Sequence, residues 1–90
     1  MSRTVHVRIT GKVQGVSFRY WTGEEATRLG LDGWVRNRPD SSVEAVFAGP
    51  DEAVAEMLTL CHRGPRHARV DKVEVSDWSD EVPAGFHQAG

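Results

Sequence analysis

A chain of 90 residues with 39% hydrophobic and 27% charged side chains has the composition of one small globular domain, residues 1–90, and not of a disordered segment. Its 11 Lys+Arg against 13 Asp+Glu leave a net charge of −2, which lacks the basic field that drives binding to nucleic-acid phosphates or an acidic membrane. The single cysteine, Cys61, excludes an internal disulfide and a cysteine-rich zinc site, and no stretch approaches a signal peptide core or the roughly 18 apolar residues of a membrane span, so a soluble, cytoplasmic protein is expected.

In TVHVRIT (4–10), Val5, Val7 and Ile9 alternate with His6, Arg8 and Thr10, which is the period of a half-buried strand. After a glycine loop, SFRYWTGEEATRLG (17–30) carries Phe18, Thr22, Ala26 and Leu29 at helical spacing and ends on Gly30, a residue suited to a left-handed C-terminal cap. Gly23 within it is a mild fault. LDGWVRN (31–37) and SVEAVFAG (42–49) are strand-like and flank RPDS, whose proline and aspartate favour a turn, so an antiparallel hairpin is expected. PDEAVAEMLTLCHRG (50–64) sets Asp51 and Glu52 at a helix start and Val54, Met57, Leu58 and Cys61 on one apolar stripe. On that stripe Met57 and Cys61 read as core fillers, not ligands. In RVDKVEVSDW (69–78), Val73 and Val75 share a face while Val70 is out of phase, which predicts a bulge near Asp71.

The order strand, helix, strand, strand, helix, strand predicts an α+β, ferredoxin-like βαββαβ sandwich. Right-handed crossovers put the first and third strands side by side at the centre, with both helices on one face of a mainly antiparallel sheet of four or five strands. In this topology GKVQGVSFR (11–19) runs from a central strand into the first turn of a helix, where unpaired N–H groups and the positive dipole end point outward. Gly11 and Gly15 would let the backbone curl into a nest for phosphate oxygens, and Arg19 could bring its planar fork to them. Spacing alone leaves open an ordinary strand-to-helix loop with turn glycines and a surface arginine, since the Walker ending is absent.

GKVQGVSFR, LGLDGWVRN, VEAVFAG and GPRHARVDKV together resemble the acylphosphatase family, whose two signature motifs are similar to GxVQGVxFR and GWVRN at this separation. The resemblance spans nearly the whole chain. It implies an enzyme that hydrolyses carboxylic-phosphate anhydrides to a carboxylate and inorganic phosphate, without cofactor or metal. It also implies that Arg19 and the backbone N–H groups of Val13, Gln14, Gly15, Val16, Ser17 and Phe18 hold the phosphoryl group and that Asn37 positions the attacking water. The expected partner is a small acyl phosphate, with no nucleic acid or membrane, and the expected state is a monomer. Without the resemblance, Asn37 reads first as a turn-initiating residue ahead of Arg38 and Pro39.

The remaining candidates read as structural. His6, His62, His67 and His87 lack metal-ligand spacing and are expected at the surface or in caps. Ser17 has no partner placed to activate it and is expected as a helix N-cap, Lys12 is expected as a solvated loop cation, and Trp21, Trp34 and Trp78 are packing residues. Two features depart from the family: the tail FHQAG has only Phe86 to support a fifth strand, and Arg38 adds a cation beside Asn37. A non-catalytic anion-binding or protein-interaction module of the same fold is the competing reading. An RNA-binding sheet would need stacking aromatics on the third strand, where only Phe47 is available and is expected to be buried with Val43. Hydrogenase-maturation carbamoyltransferases carry such a domain at their head, but the zinc-finger cysteines that follow it there are missing here, so a stand-alone enzyme is expected.

Overall fold

Alternation along the first strand organises the sheet. In the computed structural model, which describes residues 1–89, β1 (Ser2–Lys12) buries Val5, Val7 and Ile9 completely. Directly across from them on β3 (Val43–Pro50) stand Phe47, Ala45 and Val43, also without solvent contact. Burying each of the larger of these side chains contributes about 1.5–3 kcal/mol relative to exposure, so this central pair is the core of the molecule. Phe47 and Val43 thus face the core, as expected.

The sheet order is β4-β1-β3-β2-β5, with β1 and β3 at its centre. α1 (Phe18–Arg28) lies over β2 (Asp32–Asn37) and β5 (Phe86–Gln88), while α2 (Asp51–Arg63) lies over β1, β3 and β4 (Arg69–Asp77). α1 buries Phe18, Thr22 and Ala26, and Gly30 follows it with a left-handed φ of 72°. α2 buries Val54, Met57 and Cys61; burial pushes the Cys61 thiol up to about 12, which fits a core filler and not a reactive group. The β2–β3 hairpin is antiparallel and closes at Asn37 opposite Val43.

The irregularity in the last long strand is where the sequence places it. Thr10 pairs with Lys72 and Gly11 with Val70, so Asp71 is the extra residue. Gly11 has φ 127°, and a Cβ there would collide with the Arg69 carbonyl of β4. Its positive φ is as expected, but the reason is close strand approach at the bulge and not the curl of the loop.

A fifth strand does form. β5 pairs parallel to β2 through Gly33–Phe86, Trp34–His87 and Val35–Gln88. One aromatic is enough because Phe86 stacks on buried Phe47, with ring centroids 5.6 Å apart, and Gly33 presents no side chain between them. The Gly33 N–H donates to the Gly85 carbonyl at 2.9 Å, and the Asp32 carboxylate accepts from the Gly85 N–H at 2.8 Å. Gln88 then lies against Gly23, where an added Cβ would touch its amide at 3.6 Å, so the helix glycine faces the new strand. Among the described residues no helix is long and apolar enough to cross a membrane.

Candidate active site

Between β1 and α1 the chain turns twice through left-handed backbone, at Gly15 (φ 74°) and Ser17 (φ 63°). Glycine takes that conformation without penalty, whereas serine is strained in it, a feature that concentrates at functional sites. Ser17 occupies the N-cap position of α1 but its side chain makes no capping hydrogen bond. The expected cap is therefore absent, and the left-handed turn is the reason, since an N-cap oxygen reaches the helix N–H groups from extended backbone. Among the described residues no backbone N–H from Gln14 to Ser17 donates to a backbone carbonyl, and the first N–H groups of α1 have no helical partner. The loop is a concentration of free donors at a positive dipole end.

An open cavity of about 370 Å³ sits at this junction. The loop contributes Val13, Gln14, Gly15 and Ser17, the first turn of α1 contributes Phe18, Arg19 and Tyr20, and the strands contribute Asn37 and Gln88. Val16 does not line it and packs against the core instead. Arg8, Arg28, Arg36, Arg38 and Arg69 each meet a carboxylate, but among the described residues Arg19 meets none. Half-buried at the cavity wall and unpaired, its guanidinium is available to an anion. Asn37 is exposed at the end of β2, and its amide makes no hydrogen bond among the described residues. The two motifs, far apart in sequence, share one cavity because β2 runs beside β3, which brings its end to the start of α1.

A family model, Acylphosphatase, matches residues 5–88. The chain belongs to the acylphosphatase family. It is 56% identical over 88 residues to an acylphosphatase of Rhizorhabdus wittichii, covering 98% of this chain and 87% of that protein. Its fold superimposes with a TM-score of 0.93 on the crystal structure of an acylphosphatase from Bacillus subtilis, at 32% identity and with both chains covered completely. A structure of an acylphosphatase from Coxiella burnetii gives the same TM-score and identity, covering 98% of this chain and 93% of that one.

In this acylphosphatase the side chains flanking Asn37 turn away from the cavity. Arg36 and Arg38 lie on the helix-free face of the sheet, where one oxygen of Glu44 accepts from Arg36 Nε at 2.6 Å and from Arg38 Nη1 at 3.0 Å. The other oxygen is 2.6 Å from His6 Nε2, which must carry the proton, since an ionised carboxylate only accepts. The extra cation at Arg38 is thus a partner of Glu44. His6, stacked at 5.5 Å on Trp78, is the histidine that departs from the surface-or-cap expectation. His62 and His87 cap the carbonyls of Leu58 and Ala84, and His67 is exposed.

Burial works against the Glu44 charge, but hydrogen bonds from His6, Arg36 and Arg38 outweigh it and hold the carboxyl at about 2, below the ordinary 4.5. A folded value below the unfolded one means that this contribution is complete above pH 4.5 and is lost as pH falls toward 2. Asp40, held low by hydrogen bonds from Ser42 and then from Arg8, acts in the same direction. In acid titrations followed by circular dichroism, Glu44→Gln should therefore lower stability at neutral pH and flatten its decline in that window. An equally steep decline in the variant would assign it to other carboxylates.

Sequence reasoning missed the side-chain parts played by Gln14, Tyr20 and Gln88 at the cavity. Tyr20 is exposed at its rim, one residue past the motif arginine. Gln88 arrives only through β5, so no local pattern could have revealed it. Lys12 is exposed and outside the cavity lining. Trp34 and Trp78 pack edge to face at 6.0 Å, and Trp21 packs against Phe18 at 5.3 Å.

Proposed function

We propose that this acylphosphatase hydrolyses small acyl phosphates at the cavity between the 13–18 loop and the end of β2. The phosphoryl oxygens sit among the loop N–H groups of residues 13–18 and the Arg19 guanidinium, which together neutralise charge that shifts during transfer. Asn37 accepts a hydrogen bond from a water through its amide oxygen and steadies the phosphoryl group through its N–H, without titrating. The water oxygen bonds to phosphorus as the phosphorus–oxygen bond to the acyl group breaks; the carboxylate leaves with the electron pair, and the proton lost by water ends on inorganic phosphate. A carboxylate leaves readily without protonation, so positioning and charge stabilisation are the main tasks.

The observation that carries this reading is the meeting at one cavity of an arginine, a run of N–H groups and an asparagine amide that have no partner among the described residues. Every group needed comes from one chain, which supports a single-domain monomer, and a lone buried cysteine fits the reducing cytoplasm. The net charge of −2 supports a small-molecule substrate over nucleic acid or membrane. The purified protein is expected to release phosphate from benzoyl phosphate at the same rate with and without EDTA. Loss of the activity with chelator would contradict metal-free chemistry, and phosphate binding without release would favour a non-catalytic anion-binding module.

A further inference from the structure

We propose that Gln14 is a positioning residue whose side-chain amide sets the distance between the phosphate loop and Asn37. The inference rests on the hydrolytic reading above. Gln14 Nε2 donates to the Arg38 carbonyl at 2.8 Å and to the Ser42 carbonyl at 2.9 Å. Both partners are carbonyls, so the amide nitrogen must face them, and both of its hydrogens are used. The same two oxygens close the mouth of the β2–β3 hairpin: Ser42 O accepts from Arg38 N at 2.9 Å and Arg38 O from Ser41 N at 3.1 Å. Gln14 thus supplies the second donor to each carbonyl and holds the Arg38–Pro39 peptide, one unit past Asn37, directly, and the Asn37–Arg38 peptide through the Ser42 carbonyl that its N–H also meets.

Three side-chain ties hold this strand end and its turn, and they differ in what they connect; one is Arg8, which joins the turn to β1 through Asp40 at 2.6 Å. Glu44 grips the side chains of Arg36 and Arg38 from the helix-free face, which fixes β2 against β3. Among the described residues the only hydrogen bonds that join the hairpin mouth to the loop carrying the N–H donors are those of Gln14. Its own backbone is anchored between buried Val13 and the left-handed Gly15. Without the tie, phosphate still meets Arg19 and the loop, but Asn37 is no longer held in register with it. In-line attack is sensitive to displacements of about 1 Å.

Gln14→Met keeps the length of the side chain and removes its donors. For benzoyl phosphate it should lower kcat by roughly ten- to a hundredfold, while KM and inhibition by inorganic phosphate stay within about threefold of wild type. Retained phosphate inhibition also shows that the loop is folded. Gln14→Glu, which sets acceptors against two carbonyls, should fall at least as far. In an Asn37→Ala background the Met substitution should cost less than about threefold more, because residues that act through one another are not additive. Wild-type kcat in Gln14→Met, a loss of phosphate affinity in step with kcat, or full additivity with Asn37→Ala would each overturn the positioning role. Absence of turnover in wild type would instead fail the hydrolytic reading, and this role with it.

Discussion

Arg19→Ala is expected to lower kcat/KM for benzoyl phosphate by on the order of a hundredfold or more, the scale of removing one preorganised donor from a developing oxyanion. Five other arginines of the chain are engaged by carboxylates, so their charges are already neutralised where they stand. Arg19 lies in the first turn of α1, where the helix dipole and the free N–H groups of the loop add to its field. Removing it should weaken inhibition by inorganic phosphate as well as turnover, because a fixed cation holds the bound phosphate and holds the charge of the transition state more strongly still. Arg19→Lys restores the charge but not the planar fork and should recover only part of the loss. The thermal unfolding curve should stay near wild type, since Arg19 takes part in no ion pair among the described residues. Near-wild-type turnover in Arg19→Ala would remove the arginine from the site.

Asn37→Ala is expected to give a different kinetic signature. Turnover should fall by about a hundredfold, the cost of losing orientation of one reactant, while inhibition by inorganic phosphate changes little. The distinction follows from position: Asn37 reaches the cavity from the end of β2 and not from the phosphate loop, and among the described residues its amide is committed to no other group. Its backbone still pairs with Val43, so the hairpin should be unaffected. A substitution that weakened phosphate binding as strongly as turnover would make phosphate binding the main task of Asn37 and leave the water unassigned.

The elements were legible wherever one face is buried against a neighbour. Val5, Val7 and Ile9 announce β1 by alternation, and the stripe of Val54, Met57 and Cys61 announces α2, because period and burial have the same cause. Even the bulge at Asp71 shows in the phase of three valines. What stayed hidden depends on contacts between distant residues. β5 has almost no pattern of its own and stands on Phe86 against Phe47 with a glycine between. Gly11 reads as a loop glycine until β4 is seen pressing on it. Ser17 reads as a cap, yet the loop forces it into left-handed backbone where its hydroxyl cannot reach.

The candidate site divides in the same way. Arg19 and the loop glycines stand out because an anion cradle needs them close together in sequence, and Asn37 stands out only through the resemblance of GWVRN to a family motif. The direction of Arg38 could not be read locally: strand alternation turns it from the cavity, and Glu44, on a different strand, holds it there. The Gln14 side chain was hidden for a related reason, since its partners are backbone carbonyls, which leave no mark in a sequence.

Whether Asn37 places the attacking water in a metal-free site is decided by the rates of phosphate release from benzoyl phosphate by wild type and Asn37→Ala, compared in one chelator-containing buffer. Wild type should release phosphate steadily, and the variant should release it about a hundredfold more slowly. Equal rates for the two proteins would contradict that role of Asn37.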